Sequence, residues 1–241
     1  MRKPSLILSA SLALTAPAFA VPTEGVDVRA HYTETAVSNL HRMLSVYDAI
    51  EKDHGQPTGM KLTVFGTIEP GSEPAGDAHL YLAARSGHIA ITRPGDSRFI
   101  VPTEPGLIAE NPNVMAALAH DEVIDFTGQV ALPVTPQNRL PVADLKEWAH
   151  KLDDRISDKA GFIAASFIRD TRRAIVDVPP GATLSLDDAG RMTPLVINRG
   201  NAAYRYTLDL KHVSKTATLV SDMPIEAMAL VLPVQLGEWK R

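Results

Sequence analysis

The sequence predicts a mainly β fold of the α+β kind: two similar β-rich units, each preceded by one amphipathic helix, in the manner of tandem β-sandwiches. Three observations carry this. The 18 prolines and 15 glycines are scattered along the 241 residues, so they punctuate many short elements rather than mark one linker. Only residues 32–54 and 141–156 hold apolar side chains at helical spacing over several turns. The stretch ITRPGDSRF at 91–99 is echoed by INRGNAAYRY at 197–206, within frames that echo as well: VALPV at 130–134 and LVLPV at 230–234.

The chain opens with a leader. Arg2 and Lys3 are followed by an apolar run at residues 6–14 and by the small-x-small site Ala18-Phe19-Ala20. This is the pattern of a secretory signal peptide cleaved after Ala20, and the run is too short to span a bilayer. The expected location is the bacterial periplasm or the medium beyond it. Cleavage removes two cations and leaves 22 positive against 28 negative side chains, a net charge of -6, which argues against nucleic acid as a partner. No later apolar run approaches twenty residues, so no transmembrane segment is expected in the mature chain. With no cysteine in the sequence, disulfides, thiol catalysis and a lipid-modified N-terminal cysteine are excluded. An exported domain without disulfides depends on its core.

The first unit is assigned to residues 21–134. After an extended lead-in at 21–30, a helix is expected over 32–54, with Thr33 as N-cap and Ala36, Val37, Leu40, Met43, Leu44, Tyr47 and Ile50 along its buried stripe. Gly55 and Pro57 end it. Residues 60–69 read as a strand, 79–84 and 87–92 as a hairpin, 98–102 as a strand, 111–120 as a short helix and 122–132 as a strand. The polar, turn-prone residues 135–140 mark the boundary. The second unit, 135–241, begins with a helix opened by Pro141 and striped by Val142, Leu145, Trp148, Ala149, Leu152 and Ile156. Strands follow at 162–168, 174–178, 182–186, 192–198, 204–210, 216–220 and 227–234.

Chemical motifs are sparse. No glycine lies two residues from another, and there is no Walker loop, no G-x-S-x-G elbow and no S-x-x-K. The eight histidines are all more than five residues apart, so no helix carries an i, i+4 pair, and neither a metal nor another cofactor is predicted. Four residues are weak catalytic candidates. His120 and Asp121 belong to the densest titratable cluster, with Glu122 and Asp125, where a carboxylate can orient an imidazole base. Glu51 and His54 fall near the stripe of the first helix, where a buried carboxylate–imidazole pair is conceivable. Arg169, Arg172 and Arg173 form the densest positive patch and are the candidate binding residues, suited to a phosphate or carboxylate. In the repeated stretch, strand register sets Arg93 opposite Phe99 and Arg199 opposite Tyr204, with Arg98 and Arg205 on the other face. That reading makes the motif a structural corner used twice.

The expected function is that of an exported, non-catalytic envelope protein that binds or scaffolds a partner, either a protein or a cell-wall or lipid component. Two alternatives are a periplasmic hydrolase or metal-dependent enzyme with its site between the units, and a chaperone-like or inhibitor module acting through an edge strand.

Overall fold

The computed structural model describes residues 32–158 and 172–234, which lie within one compact unit, Tyr32–Arg241. The leader, the lead-in, the strand expected at 162–168 and Arg169 fall outside the described residues.

The described residues open with β1 (Thr33–Asn39) and α1 (Leu40–Glu51), followed by the two-residue ladder of β2 (Lys52–Asp53) and β3 (Gln56–Pro57). Next come β4 (Lys61–Glu69), β5 (Glu73–Pro74), a 3-10 turn at Ala75–Ala78, and the hairpin of β6 (Tyr81–Ala84) and β7 (Gly87–Ala90). The first half closes with α2 (Pro105–Glu110), β8 (Asn113–Leu118) and β9 (Val123–Ala131). The second half runs through β10 (Gln137–Pro141), α3 (Val142–Ser157), β11 (Arg173–Val178), β12 (Thr183–Asp188), β13 (Arg191–Ile197), β14 (Tyr204–Asp209), β15 (Thr218–Ile225) and β16 (Met228–Val234).

The fold is mainly β, and its two outer sheets match in strand order. One outer sheet has the order β1-β8-β6-β7 and the other β10-β15-β12-β13, so in each the strand before the helix is followed by the late strand and then the hairpin. The central sheet, β14-β11-β16-β9-β4-β5, belongs to both. Its middle pair is the last strand of each half, antiparallel from Ala229↔Ala131 to Val234↔Phe126. Outside that pair lie β4 and β11. The two halves of the chain therefore share one sheet. Alternation explains the strands: β4 buries Leu62, Val64, Gly66 and Ile68, and β9 buries Ile124, Phe126, Gly128 and Val130. The helices pack against one another, and one core cluster joins Leu40, Val46 and Ile50 to Leu145, Leu152 and Ile156. Each such side chain contributes about 1.5–3 kcal/mol of burial.

Several expected elements differ. The helix expected over 32–54 starts only at Leu40, and Asn39 caps it by accepting the Arg42 N–H at 3.0 Å. Residues 33–39 are β1, where β-branched Thr33, Thr35 and Val37 favour an extended chain. Residues 111–120 hold a strand, β8, whose Val114, Ala116 and Leu118 are buried with period two. The helix lies one step earlier, as α2, with proline in its first turn. The stretch read as a boundary contains the start of β10. The stripe of α3 holds at Val142, Leu145, Ala149, Leu152 and Ile156, which are buried, while Trp148 is half-buried and Pro141 is the N-cap rather than the first helical residue.

The repeated stretch is a corner in both halves, although its strands do not pair as register implied. After the Arg93–Asp96 turn, closed by Asp96 N–H to Arg93 O at 2.9 Å, the chain crosses from the outer sheet to the open edge of β4. Gly66 N–H donates to Ser97 O at 2.8 Å and Phe99 N–H to Val64 O at 2.9 Å. In the second copy β13 stays in the outer sheet, while β14 pairs with β11, placing Tyr204 opposite Val178 and Arg205 opposite Asp177. Phe99 is buried against the Phe126 ring at 5.6 Å, whereas Tyr204 is 50% exposed. The edges of β4 and β11 carry unpaired backbone groups, and the chain after the turn satisfies them in preference to the preceding strand.

Candidate functional site

His120 and Asp121 sit in the exposed turn between β8 and β9, where the neighbouring Glu122 accepts the Ala119 N–H at 2.9 Å. Glu51 and His54 are not brought together. His54 occupies the β2–β3 turn with φ 45° and a side chain 97% exposed, because the helix ends at Glu51. Glu51 points the other way, accepting the Leu62 N–H at 3.0 Å and the Lys61 ammonium at 2.9 Å. Arg173 is exposed on β11. Arg172 lines a small hollow described below. Among the described residues no group of three or more His, Asp or Glu is arranged to hold a metal ion, and no helix is long and apolar enough to cross a membrane.

A groove of about 760 Å³ lies between α1, the start of β4, the segment after Phe99, and α2. Leu44 and Tyr47 face it from α1, with Leu62, Phe99, Val101 and Ile108 opposite. Its volume is in the range of ligand sites that are apolar with a few placed polar groups. Its charged groups are Asp48, Glu51, Lys52 and Arg98. Asp48 is paired with Lys52 at 2.8 Å and Glu51 with Lys61. The Arg98 guanidinium has no ion pair among the described residues, and its backbone N–H is held by Asp96 at 2.9 Å. His41 fixes the far wall through a 2.8 Å contact from Nε2 to Ile108 O.

The groove exists because the chain leaves the sheet early. Beyond Phe99 the next backbone bond is Ile100 N–H to Ile91 O at 2.8 Å, away from β4, so among the described residues Leu62 has a strand only on its β9 side. In the second unit the matching strand carries on, and Leu210 N–H donates to Arg172 O at 2.7 Å. The helices are in register when Leu40 is set against Val142, which aligns the buried Met43 with Leu145 and Ile50 with Leu152. Leu44, Tyr47, Asp48 and Glu51 then align with Lys146, Ala149, His150 and Asp153. Those four residues of α3 line the second hollow, with Arg172, Leu210 and Lys211, and it measures only about 300 Å³. The same place in the two units is thus open and apolar in one, and filled and charged in the other. Lys146, where the first unit has Leu44, spans the second hollow to Val213 O at 2.7 Å.

Tyr47, where α3 has Ala149, belongs to this difference. Its hydroxyl is buried without a hydrogen-bond partner. Burial pushes its pKa up to about 12 from the ordinary 10.0; the Val64 N–H opposes the rise, Glu51 adds to it and Arg98 opposes it. The Val64 N–H lies near enough to be felt yet does not form a well-aligned bond with the phenol oxygen. An unsatisfied buried hydroxyl costs about 1–3 kcal/mol, so Tyr47→Phe should stabilise the free protein by about 1 kcal/mol at neutral pH. The folded pKa is raised, so the folded state keeps this proton longer than the unfolded chain. The associated stability is complete below pH 10.0 and is lost as the pH rises through about 12. The advantage of Tyr47→Phe should therefore widen across that window in urea titrations at stepped pH; a constant advantage would contradict the assignment.

Sequence reasoning placed Leu44 and Tyr47 in the core stripe of the helix and missed the groove. A usable signal was the contrast between the two aligned stripes, Leu44 against Lys146 and Tyr47 against Ala149. No known protein family, curated protein or solved structure matches the chain.

Proposed function

We propose that this is an exported envelope protein that binds a partner without transforming it, through the groove beside α1. The leader at residues 1–20 supports export to the periplasm or beyond. The observation that carries binding is the paired construction: the first unit keeps open, and lines with apolar groups, the place that the second unit fills. A position that only completed the fold would be filled in both, since exposed apolar clefts carry a cost in water that burial removes. The buried, unpaired hydroxyl of Tyr47 supports the same reading, because unsatisfied polar groups concentrate where a ligand completes them.

The test is a photo-crosslinking amino acid at exposed Asp48, paired with a control at exposed His150, its counterpart on the second unit. In envelope extract the Asp48 probe should give a discrete adduct and the His150 probe none. Equal labelling at both positions, or no adduct at either, contradicts the reading.

A further inference from the structure

We propose that the groove takes a linear amphiphile with a single carboxylate, its acyl chain lying along α1 and its acid group on Arg98. This rests on the groove being the binding site, as argued above, and names the class of ligand. Two observations carry it: the charge balance of the groove, and how few of its polar groups are free.

The charges cancel except for one. Asp48 holds Lys52 at 2.8 Å, and Glu51 holds the Lys61 ammonium at 2.9 Å. Arg98 is exposed at the groove, and its guanidinium has no ion pair among the described residues. Burial raises the Tyr47 pKa and the Arg98 charge opposes that rise, which sets the guanidinium near the apolar wall. One uncompensated guanidinium fits one negative charge. It takes a carboxylate through two parallel N–H bonds, whereas a phosphate monoester brings a charge of about -1.5 to -2.

Most of the remaining polar lining is already in use. His41 Nε2 is held to Ile108 O at 2.8 Å, the Ser45 hydroxyl donates to Arg42 O at 2.8 Å, and Glu51 also accepts the Leu62 N–H at 3.0 Å. Thr63 and Thr103 add two hydroxyls, enough to assist one head group. A sugar or a peptide would bury many donors and acceptors with few partners, at a cost for each. A hydrocarbon chain buries none. The walls suit it, since Leu44, Leu62, Val101 and Ile108 are aliphatic and Ile100, 45% exposed, stands at the rim. The groove follows α1 from His41 to Glu51, about 15 Å at about 1.5 Å per residue. A zigzag chain of about twelve carbons, with bonds of about 1.5 Å, has that length.

Isothermal titration calorimetry on the full mature protein tests this, using octanoate, decanoate, dodecanoate and tetradecanoate below their micelle concentrations. Each should fill a single site. Affinity should rise about fourfold per added CH₂ and stop rising between dodecanoate and tetradecanoate, once the groove is full. Arg98→Gln should weaken dodecanoate at least about tenfold and leave 1-dodecanol unchanged. Leu44→Glu, which sets a carboxylate among the apolar walls, should weaken both at least about tenfold. If Leu44→Glu fails to fold by circular dichroism, exposed Arg98 carries the test.

Affinity that ignores chain length, or an Arg98→Gln variant that weakens the alcohol as much as the acid, overturns the acyl-carboxylate proposal. Dodecyl phosphate bound in preference to dodecanoate overturns it in favour of a phosphate head group. An absence of binding overturns it as well. A protein adduct at Asp48 would then leave the groove as a binding site for another partner, and no adduct would remove both readings.

Discussion

Replacing Gly76 by alanine is expected to cost at least about 3 kcal/mol, placing it among the severe single substitutions. An added Cβ would stand 1.9 Å from Arg93 O and 2.7 Å from Asp96 O. Both blocking atoms are backbone, so no change of rotamer relieves the overlap. Nor is the turn free to retreat. Gly76 N–H holds Asp96 O at 2.9 Å, Asp77 accepts the Gly95 N–H at 2.9 Å, and Gly66 and Phe99 tie the following residues to β4. The alanine must break that set of bonds or displace the corner, and the corner decides where the chain leaves β4. Gly106→Ala is the control. A Cβ there meets nothing within 4 Å, and the residue lies in α2, so the change should be neutral or slightly stabilising. Urea midpoints of the two variants measure the contrast, and equal midpoints would contradict it.

Asn198→Ala should cost about 2–4 kcal/mol in the other copy of the same corner. Asn198 is 5% exposed, as Thr92 is 6% exposed at the matching position of the first copy. Its amide donates to Val178 O at 2.8 Å, Pro179 O at 3.0 Å and Ala202 O at 2.9 Å, and its carbonyl accepts the Gly200 N–H at 3.0 Å. One side chain thus satisfies backbone groups on both sides of the crossing from β13 to β14. Truncation removes the side-chain bond from each; Pro179 O keeps the Ala182 N–H at 3.1 Å, so the cost falls mainly on the buried bond to Val178 O and on the bonds that hold Gly200 and Ala202 in the turn. Asn198→Asp should be at least as damaging, because its carboxylate faces three carbonyl oxygens. Chemical denaturation checks both; a loss below about 1 kcal/mol for either would show that the corner is held elsewhere.

The repeated stretch was legible as a corner because Ile91/Ile197, Thr92/Asn198 and the turn residues recur in matching frames. Its connectivity was not. Register arguments weigh a strand against its neighbour in sequence, and here the competitor for Phe99 and Tyr204 was the edge of a distant strand. The stripe of α3 was readable since its apolar residues all face one core. That of α1 misled in two ways. Thr33, Thr35 and Val37 suit a strand as well as the end of a helical stripe, so β1 was absorbed into the helix. Leu44 and Tyr47 have the spacing of core residues, and spacing alone does not distinguish a buried face from a groove wall. His120, Asp121 and His54 stood out as titratable residues close in sequence, yet short turns hold them in solvent. Glu51 lines the groove, and its carboxylate is bound to the backbone of β4. Arg98 stood out in the repeated stretch and was set on the other face from Arg93, but that it borders a groove follows from where the chain leaves the sheet.

The account turns on the first half keeping open an apolar groove with a cation at its edge, where the aligned hollow of the second half is small and charged. Titration with 1-anilino-8-naphthalenesulfonate, an apolar dye bearing one negative charge, tests this directly on the mature chain. The account predicts a single saturable site whose fluorescence is abolished by Leu44→Lys, weakened several-fold by Arg98→Gln and unchanged by His150→Ala. Fluorescence that is the same in wild type and Leu44→Lys, or that is lost in His150→Ala, would contradict it.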